Sequence, residues 1–437
     1  MHPQMAHFPG QFRNFEGIAN KDQPGDSRTA IIGHMWCLRL VAFLSLMGTL
    51  FAQDTQLDAL RETLTMLRKQ TQGAAFDTPV PAASMAKAKH LLRDWVESRL
   101  AQVEDPSRIA GLEAKLNQEL QSVGAADEDP KAGQFGMLGE ISLRLEDGLL
   151  TLTTSVGILC QTDDSAYGYQ KKEGRWQRIW ESEQQDYSER GYKPQVLFKV
   201  NTWRPLTQGR NDGPLYIMTL GNHWGCASTW HPVYYRVWRV TSAGSRLLIE
   251  GDQFAWLRGG TYAMGSIGQQ PRRSDAPVDV LIELTVGSVD VGIHNREAVL
   301  HYLIEGDKVR RVAPVALSPR DFVDEWLTHD WQASAAWSTS EALHSWHRKL
   351  HADWVGGTFQ GNTKRCQTPG LWQVAFAPSD PKRNYEDQPP LYFLVQWNPP
   401  YHFTLKDVSA EPRSDCTQDD PEADEWRTLF STQEWRN

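Results

Sequence analysis

The chain has 437 residues, 40% of them hydrophobic and 23% charged, with a formal net charge of −9. That length suffices for one large domain or two smaller ones. The acidic balance gives no electrostatic footprint for nucleic acid, so no nucleic-acid partner is expected.

Residues 1–34 carry no apolar periodicity and precede a second methionine, Met35. They read as a mis-called N-terminal extension. From Met35 a basic residue, Arg39, leads into an apolar run over residues 40–51, closed by Ala52 and Gln53. This is the layout of a secretory signal peptide over residues 35–52. The run is too short for a bilayer, which takes about 20 apolar residues, so no membrane span is expected in the mature chain. Cys37 lies before the apolar core, which argues against a lipoprotein anchor. The expected location is therefore secreted or periplasmic, where the remaining Cys160, Cys226, Cys366 and Cys416 allow two disulfides.

Residues 53–125 read as helical. Leu57, Leu60, Leu64 and Leu67 form one stripe. After a break at Pro79 and Pro81, Ser84 is the expected cap of a second helix bearing Leu92, Trp95, Val96 and Leu100. Asp105 followed by Pro106 opens a third, with Ile109, Leu112, Leu116 and Leu120. Three such stripes must be buried together or against the rest of the chain. The acidic stretch 124–136 is the expected linker.

From Met137 the apolar period becomes two, which predicts a repeat-built β domain over residues 136–410. Asp147-Gly148, Glu173-Gly174, Ala243-Gly244 and Glu305-Gly306 are hairpin turn signals. The stretch 233–252 is the clearest hairpin, with Val233, Tyr235 and Val237 alternating toward one expected buried face. Cys160 precedes Tyr169 by nine residues, as Cys226 precedes Tyr235, and the glycines at 174, 244 and 306 are 70 and 62 residues apart. The spacing predicts a mainly β fold of repeated antiparallel hairpin modules, β-propeller-like, with about four modules. A helical insertion over residues 318–356 delays the last module. Ser318-Pro319 begins one insertion helix, and Ser338 with Glu341 is the expected capping box of another over 341–354. Residues 411–437 read as an acidic tail.

On that second insertion helix, His344, His347 and His351 share one face, a metal-ligand pattern of the kind zinc uses. The same residues also flank the apolar stripe of Leu343, Trp346, Leu350 and Trp354, and no HExxH pattern accompanies them. Cys226 between His223 and His231 could be a nucleophile, but export favours a Cys160–Cys226 disulfide, with Cys366–Cys416 as the second. Asp321, Asp324 and Glu325 crowd a helix start. Carboxylate pairs serve glycoside hydrolysis, but acids also favour a helix N-terminus simply by opposing its dipole, and the second reading needs no further assumption. Asp163-Asp164 reads as a turn. No phosphate-binding glycine loop, GxSxG elbow or CxxC pair is present, and no cofactor is expected.

The leading functional reading is therefore an exported binding or scaffolding protein, with Trp224, Trp230 and His231 as the expected contact surface for a protein or glycan. The alternatives are a secreted, glycan-acting hydrolase and a metal-dependent protein using the histidine helix. The hydrolase requires two carboxylates converging in one pocket, such as Glu283 or Asp290 with a helix acid.

Overall fold

The computed structural model describes residues 55–420 and 423, except 75–77, 125–134, 160, 185, 189–192, 206–212, 224–228, 242, 257–263, 269–276, 292–294, 313–315, 317, 353–355, 380–388 and 399–401. The expected extension and signal peptide, Cys160, Cys226, Trp224, the side chain of His351 and most of the C-terminal tail lie outside the described residues.

Three helices come first: α1 over residues 55–70, α2 over Ala82–Leu100 and α3 over Ile109–Gly124. Asp105 caps the 3-10 turn Pro106–Arg108 that leads into α3, accepting from the Ser107 amide. Ser84, the expected cap of α2, lies inside the helix instead, and its hydroxyl donates to Gln70 at 2.8 Å. A tertiary partner on α1 takes the hydroxyl that a free helix end would have used.

The remainder is mostly β and entirely antiparallel within its named strands. The first sheet is a meander of β1 Ser142–Glu146, β2 Leu149–Ile158, β3 Gln161–Lys172 and β4 Arg175–Ser182. The second is β5 Gln195–Trp203, β6 Leu215–His223, β7 Trp230–Thr241 and β8 Gly244–Trp256. The third is β9 Met264–Ile267, β10 Val278–Gly287, β11 Asn295–Glu305 and β12 Lys308–Arg311. Asp147 and Gly148 both have positive φ, as do Glu173 and Gly174. Each pair is the two-residue loop of a type I′ hairpin, whose twist matches that of the flanking strands.

Strand alternation decides what each sheet faces. On β2, Leu150, Leu152, Val156 and Ile158 join Leu60, Leu64, Leu92, Trp95 and Leu116 in one core, so the helices cover the first sheet. Its other face, with Leu149, Ala166 and Trp180, packs on Leu215, Ile217, Trp238 and Val240 of the second sheet. The opposite face of the second sheet, with Met218, Leu220, Val233 and Val237, packs on Val280, Ile282, Leu284 and Leu300 of the third. The expectation of one buried face for the 233–252 hairpin is therefore corrected. On β7, Val233, Tyr235 and Val237 are buried on one side, and Tyr234, Trp238 and Val240 on the other.

Edge strands need partners for their free amides. At the start of β1, Asn117 of α3 exchanges two hydrogen bonds with the Ile141 backbone, and Glu113 accepts the Leu143 amide.

The insertion comprises α4 Pro319–Thr328, α5 Trp331–Ser334 and α6 Leu343–Ala352. Ser318 caps α4 by accepting the Asp321 amide, as its sequence predicts. The Ser338–Glu341 capping box does not form. The Ser338 hydroxyl accepts Trp326 Nε1 at 2.9 Å and donates to the Ser334 carbonyl, while Ser340 accepts the Ala342 amide ahead of α6. The last sheet holds β13 Gly357–Phe359, β14 Lys364–Cys366, β15 Leu371–Pro378, β16 Leu391–Asn398, β17 His402–Ser409 and β18 Cys416–Asp419. Cys366 and Cys416 are disulfide-bonded, fastening β18 to β14. Replacing both cysteines by serine is expected to cost about 2–4 kcal/mol of stability, measured by denaturant titration against the wild type.

No helix among the described residues is long and apolar enough to cross a membrane.

Candidate functional site in the seam between the first two sheets

Asp163 and Asp164 lie within β3, not in a turn, and alternation sends one carboxylate to each face of the first sheet. Asp163 points to the helices, where it meets Lys89 of α2 at 3.0 Å. Asp164 points to the second sheet. Both carboxylates also hold the edge strand β5: Asp163 Oδ1 accepts the Gln195 amide at 3.2 Å, and Asp164 Oδ2 accepts the Leu197 amide at 2.7 Å. Two acids inside a strand thus stitch the seam between sheets.

Beside Asp164 this seam opens into a cleft of about 200 Å³. Its walls carry five hydroxyls, from Ser142, Thr151, Thr153, Ser155 and Thr202. Arg144, Glu146 and Lys199 supply its charges. The outward positions of β2 at 151, 153 and 155 are hydroxyl-bearing, whereas Leu149 at the same parity packs in the apolar seam. Asp164 is part of the lining. Burial pushes its carboxyl up, against the Leu197 amide and the Ser155 and Thr162 hydroxyls, which favour the charged form. Neither hydroxyl completes a hydrogen bond to Oδ1. Beside it, burial and then the charge of Asp164 hold the Tyr234 phenol well above its ordinary value. The lining therefore sets groups that both donate and accept beside a buried carboxylate.

The cleft contains two carboxylates, but they are not a catalytic pair. Glu146 lies opposite Leu149 and Asp164 opposite Ser155, six positions apart on β2. At about 3.3 Å per residue this is about 20 Å, against about 5–9.5 Å for glycoside hydrolysis by paired acids. Asp290 and Asp324, named from sequence as possible partners, are both buried and engaged. Asp290 accepts the Phe359 amide, and Asp324 accepts the Ser288 hydroxyl, the Val289 amide and Arg296. Glu283 is exposed on β10.

The other sequence-derived candidates fall in separate places. His344 stacks on Trp331 with centroids 4.6 Å apart. His347 is buried, and its Nε2–H points to the carbonyl oxygens of Trp326 and His329 at 3.1 and 2.9 Å. Among the described residues no three His, Cys, Asp or Glu side chains are grouped to hold a metal ion. Trp230 is half-buried and stacks on Phe254, which is 57% exposed. His231 turns to the opposite face of β7 and is buried.

Glu325 and Asp324 form a buried cluster with Arg296 of β11, at 2.5 and 2.6 Å. Burial alone would raise the Glu325 carboxyl, but Arg296 and His329 hold it well below the usual carboxylate range. A second cluster gathers on Glu183, which accepts the hydroxyls of Tyr167 and Tyr187 at 2.5 and 2.7 Å and contacts His90 at 3.2 Å. Sequence reading passed over it because its members come from α2, β3 and the loop after β4. His301 and Asp279, paired at 2.7 Å and stacked beside His402, were missed for the same reason.

No family model matches the chain, and no curated protein is similar to it in sequence. The solved structures that superpose on it include the following two. One is a polysaccharide lyase of family PL25, an ulvan lyase bound to -[GlcA(1-4)Rha3S]-, at 10% identity and a TM-score of 0.21, covering 68% of this chain. The chain spans 62% of that protein's length. The other is an RGII complex of BT0996, at 10% identity and a TM-score of 0.21, covering 65% of this chain and 90% of that one. A superposition at this level assigns neither fold nor function.

Proposed function

We propose that the chain is an exported glycan-binding protein, that its four sheets are blade-like modules of a propeller-like β domain, and that the seam cleft is its ligand site. The hydroxyl lining of the cleft carries this reading. Serine and threonine hydroxyls donate and accept at once, so five of them beside a buried carboxylate match the alternating donors and acceptors of a sugar ring. The separation of Glu146 from Asp164 favours binding over hydrolysis by paired acids. Blade-like modules are supported by the face-to-face packing of successive four-stranded meanders, and by the glycines at 174, 244 and 306, each next to the turn between a third and a fourth strand. Export rests on the leader-like residues 35–52.

The test is calorimetric titration of residues 53–437 with neutral and acidic oligosaccharides, beside a Thr151→Val, Thr153→Val double variant. Valine keeps the shape of threonine and removes its hydroxyl. Two lost hydrogen bonds at about 1 kcal/mol each weaken binding about tenfold or more. Sugar binding at undiminished affinity in the double variant would place the ligand elsewhere, and no binding by the wild type to any sugar would end the glycan reading.

A further inference from the structure

Lys89 and Asp163 are among the most buried charged groups of the fold, at 1% and 0% exposure. Lys89 Nζ lies 3.0 Å from Asp163 Oδ2, yet the contact lacks hydrogen-bond geometry, and Nζ has no hydrogen-bond acceptor. An ammonium carries three donors and normally satisfies them when buried. A dry ion pair of this kind recovers its desolvation cost only with good geometry and further hydrogen bonds. Lys89 has neither. What the site does provide is an amine held against a carboxyl group, out of reach of bulk solvent, with the opposite oxygen, Oδ1, accepting the Gln195 amide at 3.2 Å.

We propose that Lys89 and Asp163 condense to an isopeptide bond that staples α2 to β3. One proton passes from Nζ to Oδ2, giving a neutral amine and a neutral carboxylic acid. The Nζ lone pair then attacks Cγ and forms the C–N bond, while negative charge gathers on Oδ1, where the Gln195 N–H receives it. Nζ gives up a second proton to Oδ2, the Cγ–Oδ2 bond breaks, and the oxygen leaves as water. Nothing is oxidised or reduced, and no co-reactant is needed. Both buried charges disappear, and the amide that replaces them keeps Oδ1 on its backbone donor. Holding the reactants together replaces a bimolecular encounter and so lowers the barrier of such a step. The Tyr187 ring, 5.9 Å from Nζ and hydrogen-bonded to Glu183, lies beside the pair.

The experiment is intact-mass measurement of the full purified chain after denaturation and thiol reduction, followed by tryptic digestion and fragment sequencing. The expected result is a mass one water below that of the sequence, with a branched peptide containing both Lys89 and Asp163 and no cleavage after Lys89. A Lys89→Arg variant keeps the cation and the ion pair but cannot form the amide, and it is expected at full sequence mass. Wild-type protein at full sequence mass, or separate unmodified peptides carrying Lys89 and Asp163, would overturn the proposal and leave an ion pair only. Loss of water that persists in Lys89→Arg would overturn it as well, by placing the modification elsewhere.

Discussion

Replacing Arg296 with alanine is expected to cost about 3–5 kcal/mol, the range for breaking a buried ion pair from one side. The guanidinium spans Asp324 and Glu325, and all three side chains are buried. Without it two carboxylates remain inside the protein. Glu325 keeps Arg311 at 3.2 Å and His329 at 2.6 Å, whereas Asp324 keeps only neutral donors, Ser288 and the Val289 amide. Urea or guanidinium denaturation reads the loss as a lower midpoint at unchanged slope. The neutral triple variant Arg296→Met, Asp324→Asn, Glu325→Gln retains acceptors for the same donors and is expected to recover more than half of the loss. A triple variant as unstable as Arg296→Ala would mean that packing around Arg296, not stranded charge, sets the cost.

The same cluster gives a pH dependence of definite sign. The folded Glu325 carboxyl titrates below its unfolded value, which is about 4.3, because Arg296 and His329 outweigh the upward push of burial. The native state therefore binds fewer protons than the unfolded state through the carboxylate range. Stability from this group is complete above that range and is lost as pH falls through it toward the lower folded value. In Arg296→Ala the main opposing charge is gone, so the fall in stability on acidification is expected to be shallower than in the wild type.

These clusters mark the boundary of what local sequence rules can read. Hairpin turns are local: Asp147-Gly148 and Glu173-Gly174 specify positive φ within two residues, and the strands follow on both sides. The helix stripes are local too, and Leu60, Leu64, Trp95 and Leu116 are buried as their spacing requires. Asp163-Asp164 obeys the local rule for a turn and disobeys it in the fold, because its partners are Lys89 and the amides of Gln195 and Leu197, all remote in sequence. The dipole argument for acids at a helix start fits Asp321, which follows the Ser318 cap, but Asp324 and Glu325 answer to Arg296 on another strand. Ser84 and Ser338 were drawn away from capping by Gln70 and Trp326. The hydroxyl cleft was invisible for a related reason. Thr151, Thr153 and Ser155 look like any solvent face of a strand until the second sheet is placed over them.

Trp326→Ala is the other large expected loss, about 3–5 kcal/mol for deleting a buried tryptophan. Its ring is fully buried between Phe393 and His347, with centroids at 6.1 and 4.7 Å. The indole N–H is spent on Ser338. Trp326→Phe keeps most of the ring volume and is expected to lose less than half as much. The backbone carbonyl that receives His347 Nε2 survives either change. Trp326 and Glu325 are neighbours on one ten-residue helix, so their effects are not independent. Phe322, Val323, Trp326 and Leu327 seat α4 in the last core, while Asp324 and Glu325 tie it to the third sheet through Arg296. If α4 undocks as a unit, whichever anchor is removed first takes part of the other's contribution with it. The double variant Arg296→Ala, Trp326→Ala is then less unstable than the sum of the singles by about 0.5–3 kcal/mol. Strict additivity in the same denaturation series would show that the two faces of α4 are held separately, and that the helix does not act as one joint between the third sheet and the last.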